Sequence, residues 1–228
     1  MNRFAIALLA GVAGVSLVSA ASAADLIISE PAAPAPVIVD TAGNWDGAFI
    51  GAFAGYGWGT VSDEDGLVLA PTEDEYSTEG WQVGVNAGYN FTVSEALVAG
   101  IVADVAWADI NGENTTDGVS FNTDWTGSIR GRLGIDAGAF LPYVTAGVAF
   151  ANNTATFNNG VDPVTEDTQV HTGWTAGAGV EFAVADNVSL DVQYRYSDFG
   201  TATYDLNGGE YDLGLTSHAV TAGVNFRF

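Results

Sequence analysis

Eight times along the chain, apolar and polar residues alternate with period two over 14 to 17 positions: 46–60, 78–92, 96–109, 120–136, 140–156, 169–185, 188–203 and 214–228. Successive side chains of a β-strand point to opposite faces, so this pattern describes strands with one greasy and one polar side. Each segment exceeds the ~9–11 residues that a tilted strand needs to cross a bilayer, whereas a membrane helix needs ~18 consecutive apolar residues. No stretch after residue 23 supplies such a run. In 188–196, Val188, Leu190, Val192, Tyr194 and Tyr196 share one face, while Ser189, Asp191, Gln193 and Arg195 share the other.

The connections alternate in length. Those at 93–95, 137–139 and 186–187 are tight; those at 61–77, 110–119, 157–168 and 204–213 are long and polar. Short turns at one end and long loops at the other mark an up-and-down barrel in the outer membrane, with an even strand number and both ends on the periplasmic side. The predicted fold is therefore all-β: an eight-stranded antiparallel up-and-down transmembrane β-barrel.

Charge placement decides which face meets lipid. Arg130, Arg132, Arg195 and Arg227 all fall on the polar face. An arginine aimed into mid-bilayer costs about 2–4 kcal/mol, so three misdirected ones would rival the stability of a whole domain. They are expected to face the lumen. There Arg130, Arg132 and Arg195 would form a charge network with Asp104, Glu181 and Asp191, because an unpaired ion in a low-dielectric interior is costly. Trp58, Trp81, Trp107, Trp125 and Trp174 lie at the loop-proximal ends of their strands on the apolar face, the positions of an interfacial aromatic girdle.

Composition narrows function by exclusion. The chain carries 28 Asp and Glu against five Arg and no Lys, for a net charge of −23. Phosphate recognition relies on clustered Lys and Arg, so nucleic acid is not a partner. A mean hydropathy of +0.20 argues against an acidic disordered chain. The absence of Cys removes a disulfide scaffold, a thiolate zinc site and a lipid-modified N-terminal Cys.

Residues 1–23 read as a secretory signal: Arg3, an apolar stretch from Phe4 to Val18, and Ala21-Ser22-Ala23 as the cleavage site. Residues 24–44, with Pro31, Pro34 and Pro36 among alanines, read as a semi-rigid periplasmic tether. The barrel domain is expected over 45–228, starting near Trp45. Phe228 ends the last alternating strand and resembles the terminal aromatic by which outer-membrane assembly machinery recognises its clients.

Several stretches resemble the small eight-stranded outer-membrane barrels of alphaproteobacteria, including the major surface antigens of Brucella-type and rhizobial bacteria, an opacity-like and OmpA-like class of membrane barrel. They are Gly55-Tyr-Gly-Trp58, Gly88-Tyr-Asn-Phe91, Arg130-Gly-Arg-Leu-Gly134, Leu141 to Gly147, Gly173 to Glu181 and Tyr194-Arg-Tyr196. The resemblance implies an abundant envelope protein with structural or surface-interaction roles and no established chemistry for most members; a monomer that is not an enzyme is expected. Its expected partners are outer-membrane lipid, lipopolysaccharide and the assembly machinery. Several relatives whose mature chain begins Ala-Asp are joined to peptidoglycan through the N-terminal amine, which would here place Ala24 and Asp25 at the attachment point.

Three other chemistries are weighed on the residues. The same lumen charges would line a narrow porin-like channel if they left a path. Asp63, Glu64, Asp65, Glu73, Asp74 and Glu75 in the first long loop, then Asp109, Glu113, Asp117, Asp162, Glu166, Asp167, Asp205, Glu210 and Asp212, offer hard oxygens for a divalent cation, though without calcium-loop spacing. His171 and His218, toward the loop ends of two late strands, offer haem ligands, a function with which some relatives are associated. Ser217 beside His218 makes no hydrolase pair, because adjacent strand residues point apart. No catalytic, cofactor or metal site is therefore assigned.

Overall fold

The computed structural model describes residues 45–63, 75–114, 119–158, 164–206 and 209–228. The expected signal segment and tether lie outside these residues, with Ala24 and Asp25, and so do Glu64, Asp65, Glu73, Asp74, Asp117 and Asp162. Eight strands follow in order: β1 (Gly47–Asp63), β2 (Glu75–Ser94), β3 (Leu97–Asn114), β4 (Val119–Ile135), β5 (Phe140–Phe157), β6 (Thr165–Ala185), β7 (Val188–Leu206) and β8 (Gly209–Arg227). Each pairs antiparallel with its sequence neighbours, and β8 closes onto β1, with Phe49 opposite Arg227 and Asp63 opposite Leu213. Up to the level of Trp174, which lies opposite Asp198, closure leaves no unpaired strand edge, the condition for β structure to persist in lipid; above it, residues 165–173 of β6 pair with β5 but have no ladder partner on β7.

In the lower two-thirds of the barrel the sidedness follows the charges. Ile101, Val105, Ile129, Val144 and Val224 are exposed on the outer wall, while Asp104, Arg130, Arg132, Arg195 and Arg227 are buried inside. Glycine makes room for large inward rings. Phe49 lies opposite Gly88 and Phe53 opposite Gly84, and a Cβ on Gly88 would meet the Phe49 ring at 2.4 Å.

The strands run further than the alternation suggested, and most of the difference lies at the loop end. β2 begins at Glu75 rather than 78, β3 continues to Asn114, β6 begins at Thr165, and β7 and β8 extend to Leu206 and from Gly209. Eight acidic residues in the expected loop connections (Asp63, Glu75, Glu113, Glu166, Asp167, Asp205, Glu210 and Asp212) accordingly stand on strands, as does Asp109 at the end of the 96–109 segment. The long 204–213 connection is instead a hairpin with only residues 207–208 between its strands.

The reason is a reversal of sidedness above the tryptophans. There the inner face carries Val61, Phe121, Ala149, Ala151, Ala155, Phe199, Tyr204, Leu213 and Leu215, which form one buried apolar cluster. The outer face carries Ser77, Glu79, Asn111, Asn122, Thr154, Thr168 and Thr203. That approaches the pattern of a water-soluble barrel, with a largely apolar interior that also buries Thr78, Thr123, Asn153 and His171, and a polar outer face. From Trp81 to Glu75 this upper collar rises roughly 15 Å, at ~3.3 Å per residue and ~40° tilt.

Candidate functional site

The lumen is filled in three tiers. At the lower mouth Trp45 is 1% exposed and packs with Val98 and Leu141. Its indole N–H donates to the carbonyl of Gly138 at 3.1 Å, and the Arg227 guanidinium lies 4.2 Å from the ring centroid. Gly138 sits in the β4–β5 turn with φ +77°, a left-handed conformation that glycine adopts without strain. Together these groups close the mouth like a lid.

The middle tier is ionic. Asp104 on β3 accepts from Arg130 on β4 at 2.8 Å and from Arg195 on β7 at 2.9 Å, so one carboxylate ties strands on opposite sides of the ring. Ser128 donates to the same carboxylate and accepts from Arg130 Nε at 2.8 Å. Arg130 also donates to Gln193 at 2.7 Å. Below it, Arg132 pairs with Glu181, which further accepts from Ser189 and, at 3.3 Å, from Asn225. These ions are almost wholly out of water, where such pairs hold only if geometry and surrounding hydrogen bonds are complete.

Asp191 departs from the expected network. Its partner is the Tyr143 hydroxyl, which donates at 2.6 Å, and it is not part of the Arg130, Arg132 and Arg195 ion pairs described above. Tyr143 stands on β5 and Asp191 on β7; Gly179 of β6 lies between them, and a Cβ there would meet the tyrosine oxygen at 2.5 Å. The same ring takes the Arg132 guanidinium at 3.8 Å from its centroid, a cation–π contact in a desolvated setting. Sequence reasoning missed Tyr143 and the lid role of Trp45. For Trp45 the signal was its place as the one tryptophan outside the girdle positions.

Two small cavities border the ionic tier. One of about 30 Å³ is lined by Asn86, Asp104, Arg130, Arg132, Asp191 and Arg195; the other, of about 20 Å³, by Gln82, Thr126, Ser128, Arg195 and Ser197. A single water needs ~10–15 Å³, so each has room for about one or two. The third tier, above, is the apolar cluster of the collar.

On the outer wall Trp58, Trp81, Trp107, Trp125 and Trp174 are 36–70% exposed and stand where the sidedness reverses. Neighbouring rings extend the row: Tyr56 meets Trp81 edge-on at 5.2 Å, and Tyr196 contacts Trp174 at 5.4 Å. His218 joins this belt, stacked on Trp58 at 5.7 Å and bonded to the Tyr194 hydroxyl at 2.7 Å. His171 lies inside, 2% exposed, 2.7 Å from the Tyr204 hydroxyl. His171 is buried in the lumen and His218 packs against outward Trp58 and Tyr194, so the two histidines lie on opposite faces and share no site. Among the described residues no group of three or more His, Asp and Glu is placed to hold a metal ion. Phe228 is 72% exposed, its N–H bonded to the carbonyl of Ala48 at 3.0 Å and its ring 5.1 Å from Phe226.

Comparison with known proteins places this architecture. Residues 10–228 match the model of the outer membrane protein beta-barrel domain family. The 25 kDa outer-membrane immunogenic protein of Brucella abortus biovar 1 is 33% identical over 210 residues, covering 91% of each chain. The 22 kDa outer membrane protein of Rhizobium leguminosarum bv. viciae is 32% identical over 83% of this chain and 81% of its own. Among solved structures, Neisserial surface protein A aligns over 79% of this chain and 97% of its own, at 20% identity and a TM-score of 0.48. The chain belongs to the outer membrane protein β-barrel domain family, and the cell outer membrane is where it resides.

Proposed function

We propose that this protein is a non-conducting structural barrel that supports envelope integrity and presents an acidic collar and loops at the cell surface. The observation that carries this reading is the filled lumen: a Trp45 lid, the Asp104-centred ion cluster and an apolar upper core lie in series along one bore. An eight-stranded interior is just wide enough for side chains. The family membership and the outer-membrane antigen names of the relatives are in keeping with a role that needs no chemistry. Planar-bilayer recording of the purified mature protein tests it. No discrete openings are expected, and stable steps of porin size overturn the reading.

The same proposal includes the wall. Ala24-Asp25 at the expected mature terminus, followed by the Pro- and Ala-rich segment, supports covalent attachment to peptidoglycan through the N-terminal amine. An extended segment of this kind reaches ~3.1 Å per residue, so twenty residues span roughly 60 Å. Muramidase digestion of purified sacculi should release barrel carrying a muropeptide mass; recovery of the free Ala24 terminus alone refutes this part. Phe228, outward at the end of β8, is proposed as the assembly signal, and the barrel as a monomer.

A further inference from the structure

Above the tryptophan row the outer wall between β3 and β6 is indented. In β4, Thr123 pairs with Asn153 and Trp125 with Asn152, leaving Asp124 as an extra residue; β3 has its own irregularity between Trp107 and Ile110. A bulge bends its strand and redirects the inserted side chain. Beside these two lies an outward groove of about 300 Å³, lined chiefly by Asn111, Asn122, Asp124, Thr154, Thr156 and Glu166. Cross-strand register puts Asn111 opposite Asn122, Asn122 opposite Thr154, and Thr156 opposite Glu166. Beneath it Trp107 and Trp125 pair across β3 and β4, both turned outward.

We propose that this groove binds neutral sugars of the glycolipid headgroups in the surrounding outer leaflet. Its chemistry fits hydroxyl-rich rings: carboxamides and hydroxyls that both donate and accept, and two carboxylates that accept. The lining contains two carboxylates and no cationic side chain, which disfavours the phosphates of the same lipids. The position selects the source. The groove opens sideways from the wall just above the aromatic row, at the depth where lipopolysaccharide sugars stand, while a soluble polysaccharide would have to cross that sugar layer to enter. The inference rests on the outer-membrane setting and not on the closed lumen, so it stands or falls separately from the conductance result.

The test uses the full mature protein in lipid nanodiscs. The probes are rough-type lipopolysaccharide (lipid A bearing core sugars without O-polysaccharide), lipid A alone, and a soluble neutral capsular-type polysaccharide. The unaltered protein is expected to bind the rough-type lipid more tightly than either other probe. Asn122→Ala with Thr154→Ala should weaken that binding about tenfold, the effect of losing a few hydrogen bonds, and leave lipid A binding unchanged. Ser77→Ala with Thr60→Ala, on the outer wall of β2 and β1, should change neither. If the groove double variant does not migrate as a folded barrel on an unheated gel, Thr154→Val, which keeps the side-chain shape, should still weaken binding severalfold. Equal affinity of the unaltered protein for the rough-type lipid and lipid A, no loss in the groove variants, or preference for the soluble polysaccharide overturns the proposal.

Discussion

Replacing Asp104 by Asn removes one negative charge and leaves its size almost unchanged, which makes it a clean probe of the ionic tier. The Asp104 side chain is 1% exposed, and the two guanidiniums it holds, on Arg130 and Arg195, are 4% and 9% exposed. Breaking one buried pair by removing a partner costs about 3–5 kcal/mol, because the remaining ion keeps its desolvation penalty. Here a single substitution strands two cations that face one another, so the loss should reach at least that range. Against a total of about 5–15 kcal/mol, that is a large fraction of the barrel's stability. Urea titration of the detergent-folded barrel, followed by tryptophan fluorescence and by the temperature at which unheated-gel mobility is lost, reads the effect. Arg195→Met supplies the comparison. It leaves Asp104 paired with Arg130 at 2.8 Å, and should cost only about 1.5–3 kcal/mol, the worth of a charged hydrogen bond. A loss below about 1 kcal/mol for Asp104→Asn, or a larger loss for Arg195→Met, would refute the view that this carboxylate holds the middle of the lumen together.

Other substitutions probe the remaining tiers. Ile129→Arg, on the lipid-facing wall at mid-barrel, should cost about 2–4 kcal/mol, whereas Ser77→Arg on the outer wall of the collar should stay within about 0.5 kcal/mol. Equal costs in the same urea assay would show that sidedness does not reverse at the tryptophans. Phe199→Ala, in the apolar cluster of the collar, should lose about 3–5 kcal/mol, as in a soluble core. Gly88→Ala should lose about 1–3 kcal/mol through collision with the Phe49 ring and the carbonyl of Ile101, and a second change, Phe49→Leu, should recover part of it. Thermal melts followed by circular dichroism check both.

Strand count, direction and the inward set of arginines were readable because a closed sheet between lipid and lumen imposes one strict alternation. Val188 to Tyr196 shows it without ambiguity, and Arg130 and Arg132 could face only inward at tolerable cost. The loop-end boundaries were not readable from the same rule. In the stretch expected as the 204–213 loop, Tyr204 and Leu213 turn inward and are buried while Asp205 stays exposed. Above the membrane water takes the place of lipid, so a sequence scanned for a greasy outer face reads as loop there. Pairing inside the lumen was hidden for a different reason. Asp191 and Arg132 share the inward parity, but the Tyr143 ring reaches across β6 over Gly179 and takes the carboxylate for itself. Parity gives the face of a residue; which neighbour it meets depends on gaps left by glycines on the strand between, as at Gly179.

The Trp45 lid has a consequence for biogenesis. Its two holds come from the β4–β5 turn, through Gly138, and from the last strand, through Arg227. The first needs only β4 and β5, but the second is absent until the C-terminal strand has been delivered and zipped against the first. The indole can therefore gain both holds only after the cylinder is sealed, although it belongs to the part of the barrel made earliest on the ribosome. Its full docking therefore reports barrel closure, and a burial-sensitive signal from this one tryptophan would time that event.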